Sequence, residues 1–167
     1  MDFASDVRDW KNWVSLVARL TLGIVLIVAG AKKLPNLEGS VLATNAYQIL
    51  PYELVKLVGY GLPFAEVGLG LLLVIGLFTR LSGLLGALLM LAFIIAITSV
   101  WIRGISIDCG CFGHGGVIDE ATAVAKYPWE ILRDTGLMAA GVWLAVIKRR
   151  FLAVDQWLFR SKDASFA

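Results

Sequence analysis

The chain is poor in charge, histidine and cysteine for its 167 residues. Charged residues are 17% of the sequence, and there are one histidine and two cysteines. The net charge is +2, and no basic stripe interleaved with aromatic residues occurs, which argues against a nucleic-acid partner. No internal repeat or low-complexity tract is present. The chemistry of the chain therefore depends on a few positions, and the remainder is scaffold.

Hydrophobic residues, at 59% of the sequence, are far above the usual share in a soluble domain. They concentrate in four runs that approach the roughly 20 residues needed to cross a bilayer core. These runs cover about residues 13–31, 54–77, 81–101 and 131–147. A turn of Phe78-Thr79-Arg80 between the second and third runs forces those helices to be antiparallel. The sequence predicts an all-α fold, a four-transmembrane-helix bundle in the lipid bilayer.

Shorter helices are predicted outside the four runs. Residues 36–53 are too polar to span and too apolar for a free linker, so we expect a short interfacial helix there. A short helix is also expected over 117–126, and an amphipathic interfacial helix after residue 150. The expected divisions are a cytoplasmic segment 1–12, a membrane domain 13–147 with outer loops 32–53 and 102–130, and a cytoplasmic tail 148–167.

The distribution of Lys and Arg predicts the orientation. Four spans put both termini on one side, which carries eight Lys or Arg residues against six on the other. The cluster Lys148-Arg149-Arg150 directly follows the fourth span, where the positive-inside bias counts most. No small-residue cleavage site follows the first apolar run, so we expect no removable signal peptide. The termini are expected in the cytoplasm and the 102–130 loop outside.

Both cysteines lie in this outer loop, in Asp108-Cys109-Gly110-Cys111-Phe112-Gly113. Two thiols separated by one glycine can close a small, strained disulfide ring, which is easier to reduce than a relaxed one. An extracytoplasmic location favours disulfide formation. Redox exchange is the first hypothesis for Cys109 and Cys111. A structural pair is an alternative, and so is zinc bound with His114, although only Asp108 would remain as the fourth ligand.

His114 is the one histidine and follows the cysteines closely. A proton-transfer role at the thiol pair is one interpretation, and an ordinary surface histidine is the other. Positive charge near the pair would favour the reactive thiolate. Arg103, His114 and Lys32 or Lys33 are the candidates, because all lie on the same predicted side.

Glu66 falls near the middle of the second predicted span. A carboxylate at that depth is costly and implies a partner or a function. Arg19 lies within the first span, and its long side chain is a candidate partner for Glu66. A structural ion pair is one reading of these residues, and a quinone or proton site is the other.

Several stretches together carry a family resemblance: Arg19 with Leu22-Gly23, Ala29-Gly30-Ala31-Lys32-Lys33-Leu34, Leu62-Pro63-Phe64-Ala65-Glu66, Gly70, Gly76 and Arg80, and Asp108-Cys109-Gly110-Cys111-Phe112-Gly113. With them the chain resembles the MauE branch of the DoxX-like membrane proteins over about residues 14–147. The resemblance implies a four-helix bundle of the bacterial inner membrane, associated with disulfide chemistry outside the cytoplasm. It also implies a thioredoxin-like partner.

The predicted architecture looks like that of the quinone-linked thiol oxidases, DsbB and the vitamin K epoxide reductase relatives. Those enzymes generally use a second cysteine pair, whereas this chain has two cysteines in all. The leading hypothesis is a membrane thiol–disulfide oxidoreductase that exchanges Cys109–Cys111 with an extracytoplasmic thioredoxin-fold protein. Electrons would pass to or from membrane quinone, with Glu66 and Arg19 as its candidate binding residues. The alternative is a non-catalytic accessory or assembly subunit of a larger membrane complex.

Overall fold

The computed structural model describes residues 10–108 and 116–147. Within them the elements are, in chain order, α1 (Trp10–Lys33), a 3-10 turn (Leu34–Asn36), α2 (Leu37–Ala46), α3 (Tyr52–Ile75), α4 (Thr79–Ile102), β1 (Ile107–Asp108), β2 (Gly116–Val117) and α5 (Glu120–Val146). Four of these helices are long enough to span a bilayer core, and they pack as a bundle.

The bundle consists of two closely packed helix pairs, α1 with α3 and α4 with α5. Glycines allow the two helices of each pair to approach closely. A Cβ added at Gly70 of α3 would lie 2.7 Å from the carbonyl oxygen of Gly23 in α1. One added at Gly141 of α5 would lie 2.7 Å from the carbonyl oxygen of Gly83 in α4. The backbones therefore touch, as is common where membrane helices associate.

Among residues 10–108 and 116–147, three helical runs are long and apolar enough to cross a membrane: Trp10–Ala46, Tyr52–Ile75 and Thr79–Ile102. Large apolar side chains such as Leu57, Phe64 and Ile95 lie exposed on their outer faces. The protein is an all-α, multi-pass membrane protein. The predicted limits of the second and third spans agree with α3 and α4 to within two residues.

The α3–α4 connection reverses the chain within three residues, as the sequence predicted. Gly76 ends α3 in the left-handed conformation, at φ 79°, and its N–H reaches back to the carbonyl of Leu72. This geometry is the usual glycine stop of a helix.

The last helix differs from the prediction. A separate short helix over 117–126 was wrong, because α5 is one helix of 27 residues from Glu120 to Val146. Asp119 caps its start, since the side chain accepts a hydrogen bond from the N–H of Thr122. Pro128 lies inside the helix without ending it. The predicted fourth span, 131–147, is therefore only the later part of a longer element.

A short helix in the first long loop is confirmed as α2. Asn36 caps it by accepting a hydrogen bond from the N–H of Gly39 at 2.9 Å. The helix packs against α3, where a Cβ added at Gly59 would lie 2.6 Å from the Cα of Val41. Its location at the membrane surface stays a prediction. The predicted C-terminal helix, in the 148–167 tail, lies outside the described residues.

Most of the buried apolar side chains in the described residues form two clusters. The central cluster fills the bundle and consists of Leu22, Leu26, Leu73, Met90, Leu137 and Leu144. The hairpin cluster lies where α4 ends and α5 begins, and consists of Ile97, Val100, Ile107, Ala123 and Tyr127. Phe93 of α4 packs against both clusters and joins them. Because Ile107 belongs to β1, the hairpin cluster ties the two short strands to the bundle.

Candidate functional site

The predicted reactive residues Cys109, Cys111 and His114 lie outside the described residues. The residues on either side are described, and they define how the segment is attached. Asp108 precedes Cys109 directly and is paired with Gly116 in the antiparallel ladder of β1 and β2. Paired residues in such a ladder have Cα atoms about 5 Å apart. The segment 109–115 therefore begins and ends at neighbouring points.

The ladder also shows which way β1 faces. Ile107 is opposite Val117, and the N–H of Ile118 donates to the carbonyl of Ser106 at 3.1 Å. Hydrogen-bonded and non-hydrogen-bonded pairs alternate along an antiparallel ladder. The Ile107–Val117 pair is thus non-hydrogen-bonded, and the N–H and carbonyl of Ile107 point away from β2. Ile107 is 2% exposed, so these groups need partners within the protein.

The hydroxyl of Tyr127 supplies those partners. It accepts a hydrogen bond from the N–H of Ile107 at 2.9 Å. It also lies 2.8 Å from the carbonyl oxygen of Ile105 and 3.0 Å from that of Ile107, either of which accepts its proton. Tyr127 is itself buried, and its ring lies 6.2 Å from that of Trp101. One side chain of α5 thus fixes the strand that leads into the cysteine segment.

Sequence reasoning missed Tyr127, although a signal was present. The buried residues of α5 recur every three or four positions: Ala123, Tyr127, Glu130, Asp134, Leu137, Gly141 and Leu144. This spacing is that of one helix face, and it begins well before the predicted span at residue 131. A tyrosine on such a face needs a partner for its hydroxyl.

Two charged side chains beside the segment can be located. Lys126, counted among the outer cations but not proposed as a charge near the cysteines, has its Nζ 3.8 Å from Oδ2 of Asp108. Arg103 was a candidate to favour the thiolate, but its guanidinium donates to the carbonyls of Tyr47 and Gln48 at the end of α2. Arg103 therefore connects the end of α2 to the end of α4. Lys126 lies near Asp108, the residue before Cys109.

Glu66 is buried in the bundle, with 0% of its side chain exposed, and it has a cationic partner as expected. That partner is Lys33, whose Nζ lies 2.6 Å from Oε1 of Glu66 and 5.4 Å from the centre of the Phe93 ring. The other oxygen, Oε2, has no hydrogen-bond partner among residues 10–108 and 116–147. Since Phe93 joins the two apolar clusters, the pair lies between the bundle centre and the hairpin cluster.

The predicted contact between Arg19 and Glu66 was wrong. Gly30 of α1 faces Pro63, Glu66 and Val67 of α3, whereas Gly23 faces Gly70, Leu73 and Val74. The helices are thus antiparallel, and Arg19 lies eleven residues from the level of Glu66, roughly 16 Å along the helix. Arg19 is buried near the middle of α1, on the other side of Gly23 from Glu66. The glycine contacts fix this register and leave Lys33 at the level of Glu66.

Two further buried carboxylates were missed. Glu130 and Asp134 lie on the inner face of α5 and are 8% and 1% exposed. Oδ1 of Asp134 is 2.8 Å from Nη2 of the adjacent Arg133. Glu130 had been placed in the outer loop. Their spacing with Tyr127 and Leu137 on the α5 face was the available signal.

These features define a multi-pass helical membrane protein with a cysteine segment held between two paired strands at one end of the bundle. The family model described as "Methylamine utilisation protein MauE" matches residues 11–147. The chain belongs to the MauE family, which confirms the resemblance seen in its sequence. No curated protein and no solved structure gives a match.

Proposed function

We propose that the protein is a membrane thiol–disulfide oxidoreductase whose reactive pair is Cys109 and Cys111. One structural observation carries the proposal: the segment that contains both cysteines leaves and rejoins the protein at the paired residues Asp108 and Gly116. Tyr127 fixes the incoming strand to the bundle. A rigid attachment at the end of a membrane bundle suits a thiol pair that must react with another protein.

The proposed exchange conserves electrons and protons. A thiolate of the partner attacks one sulfur of the Cys109–Cys111 disulfide, and the other sulfur leaves as a thiolate. The partner's second thiolate then attacks the mixed disulfide, which oxidises the partner and leaves Cys109 and Cys111 reduced. The positive charge of Lys126, near Asp108, favours the thiolate forms. His114 is the proposed proton carrier, taking up a proton from a thiol as it becomes a thiolate.

Membrane quinone is the proposed acceptor of the two electrons, and when bound it supplies a two-electron, two-proton oxidant for the reduced pair. The described residues fit a quinone headgroup at the Glu66–Lys33 pair. The buried Oε2 of Glu66 is free to accept a hydrogen bond from a hydroxyl, and the Lys33 ammonium beside it can donate to a carbonyl oxygen. The helix register leaves Arg19 away from this pair, so the proposal assigns the headgroup to Glu66 and Lys33.

The proposal includes α5 as a fourth span, with the termini in the cytoplasm and the cysteine segment outside. At about 1.5 Å per residue, its 27 residues extend roughly 40 Å, more than the hydrocarbon core of a bilayer. The charged side chains of α5 argue against a membrane span on composition alone. Two of them, Glu130 and Asp134, face the interior of the bundle. Its outer face carries large exposed apolar side chains: Val124, Trp129, Leu132, Val142 and Val146.

Membership of the MauE family supports a role in methylamine utilisation. We propose that the partner is a thioredoxin-fold protein outside the cytoplasm. The proposed role of the chain is disulfide formation or exchange in that pathway. The bacterial inner membrane is the proposed location.

Trapping of mixed disulfides tests this function. The full chain is reconstituted in liposomes as wild type, Cys109→Ser and Cys111→Ser. Wild type, with its disulfide formed, is incubated with reduced thioredoxin as the probe. Each variant is incubated with oxidised thioredoxin, whose disulfide the remaining thiolate attacks, and acid quenching preserves the mixed disulfide. We expect one single-cysteine variant to accumulate a mixed disulfide that dithiothreitol releases. Wild type should instead oxidise the probe without accumulating the adduct, because the second thiol of thioredoxin resolves the mixed disulfide.

The alternative, an accessory subunit with a structural disulfide, predicts a different result. In that case wild type would leave thioredoxin reduced, and neither variant would form an adduct. The serine variants would instead lose association with other membrane subunits in native membranes.

A further inference from the structure

The outer edge of β1 is completed by a side chain in place of a strand. The ladder leaves the N–H and carbonyl of Ile107 directed away from β2, and the Tyr127 hydroxyl lies within hydrogen-bond distance of both. The same hydroxyl reaches the carbonyl of Ile105 at 2.8 Å. Three backbone groups over three residues thus converge on one oxygen atom.

We propose that Tyr127 is a positioning residue for the Cys109–Cys111 pair, and that its hydroxyl sets the equilibrium between the dithiol and the disulfide. The inference rests on the proposed function, since it assumes a pair that exchanges. It adds a residue from α5 that acts through the backbone of β1, the strand that leads into the cysteine segment.

The hydrogen bond between Tyr127 and Ile107 can affect the cysteine pair because it lies close to the pair along the chain. Ile107 is two residues before Cys109 and is 2% exposed. Without the hydroxyl, its N–H and the nearby carbonyls would be buried and unpaired, which is costly enough to shift the strand. The neighbouring Lys126–Asp108 contact is longer, at 3.8 Å, and its lysine side chain is 47% exposed, so it holds the strand less firmly.

A fixed strand favours the disulfide. Joining two thiols in a disulfide costs conformational freedom that an open dithiol keeps. Holding the strand restricts the dithiol form more than the already restricted disulfide, and so raises the effective concentration of one thiol at the other. Loss of the hydroxyl should therefore make the disulfide easier to reduce.

The test is a redox titration of the full chain in lipid nanodiscs against mixtures of reduced and oxidised glutathione. Two glutathione molecules reduce one protein disulfide and form one glutathione disulfide, so the fraction of dithiol at each ratio gives the equilibrium constant. Maleimide mass addition reports that fraction. Tyr127→Phe removes the hydroxyl and keeps the ring. We expect it to shift the equilibrium about three- to tenfold towards the dithiol, the scale of one ordinary hydrogen bond.

Val100→Ala is the matched control, because Val100 belongs to the same hairpin cluster and is 1% exposed but makes no side-chain hydrogen bond. It should lower thermal stability while leaving the glutathione equilibrium at the wild-type value. Equal shifts in both variants would mean that any weakening of the hairpin cluster changes the equilibrium, and this result would overturn the proposal.

The remaining outcomes separate the positioning role from the function. If wild type equilibrates with glutathione and Tyr127→Phe has the same equilibrium constant, the positioning role is refuted and the function stands. If the wild-type disulfide does not respond at any glutathione ratio, the redox function fails and the positioning role fails with it.

Discussion

Lys33 and Glu66, from the end of α1 and the middle of α3, meet with Nζ 2.6 Å from Oε1. The contact is almost fully enclosed, since the side chains are 11% and 0% exposed. The ring of Phe93 lies on the ammonium, and the same ring joins the central and hairpin clusters. A buried charge pair therefore lies on the route through the protein from the bundle centre to the strands that hold the cysteine segment.

Breaking this pair from either side should destabilise the bundle. Glu66→Gln leaves a buried ammonium without its counter-charge, and Lys33→Met leaves a buried carboxylate. Each should lower the free energy of unfolding by roughly 3 kcal/mol, as for other buried pairs broken on one side. Unfolding in mixed micelles of increasing SDS fraction provides the measurement.

The double variant Lys33→Met/Glu66→Gln is the control for this pair. It removes both charges, so it should be more stable than either single variant. Additive losses in the double variant would contradict direct coupling between the two side chains.

The glycine contact between α4 and α5 should be sensitive to a single methyl group. A Cβ at Gly141 meets a backbone oxygen at 2.7 Å, which cannot move aside without separating the helices. Gly141→Ala should therefore lower stability by about 1–3 kcal/mol in the same SDS measurement.

Gly136→Ala is its matched control on the same helix, because a Cβ at Gly136 meets nothing within 4 Å. This variant should be neutral or slightly stabilising, as alanine suits a helix better than glycine. Equal losses for both variants would show that the α4–α5 contact is looser than described.

The cap of α5 predicts a pH dependence at Asp119. A hydrogen bond from the backbone N–H of Thr122 holds the pKa of this carboxyl below its ordinary value of 3.8. The cap's contribution is therefore fully present above pH 3.8 and is lost as pH falls through the lowered folded value. An NMR titration of the Asp119 carboxyl carbon in micelles should give a midpoint below 3.8.

Thr122→Pro supplies the comparison, because proline is tolerated in the first helical turn but has no N–H to donate. The Asp119 midpoint should rise in this variant. An unchanged midpoint would mean that Thr122 is not the donor that lowers the pKa.

The sequence predicted most of the fold because the apolar runs are long and clearly bounded. The sequence placed the turn at Phe78-Thr79-Arg80 and the structure places it at residues 76–78, so the limits of α3 and α4 were predicted to within two residues. The start of α5 did not follow, since its first turns are polar and contain Pro128. Its start is set by the Asp119 cap, which contributes little to a search for apolar runs.

Less of the candidate site was predictable. A buried Glu66 with a cation followed from the cost of a carboxylate in a span, but the choice of Lys33 over Arg19 required the helix register. Close contacts at glycines set that register. The pattern of apolar residues in the sequence does not reveal it. Tyr127 was missed for a similar reason, because its partners are backbone groups of a two-residue strand.

The proposed topology can be tested with single cysteines in a Cys109→Ser/Cys111→Ser background. In intact cells, Glu53→Cys and Glu120→Cys should react with a membrane-impermeant maleimide, because both exposed positions are assigned to the outside. Arg149→Cys should react only after the membrane is permeabilised. Labelling of Glu120→Cys and Arg149→Cys from the same side would contradict α5 as a fourth span.

The redox state of Cys109 and Cys111 in native membranes decides whether the pair exchanges electrons. Membranes are treated with a mild dithiol reductant, labelled with an impermeant maleimide, and compared with a sample to which quinone is restored before labelling. A redox-active pair should take up two labels after reduction and lose both once quinone is restored. A pair that stays unlabelled under every mild reducing condition would be a structural disulfide and would contradict the proposed oxidoreductase.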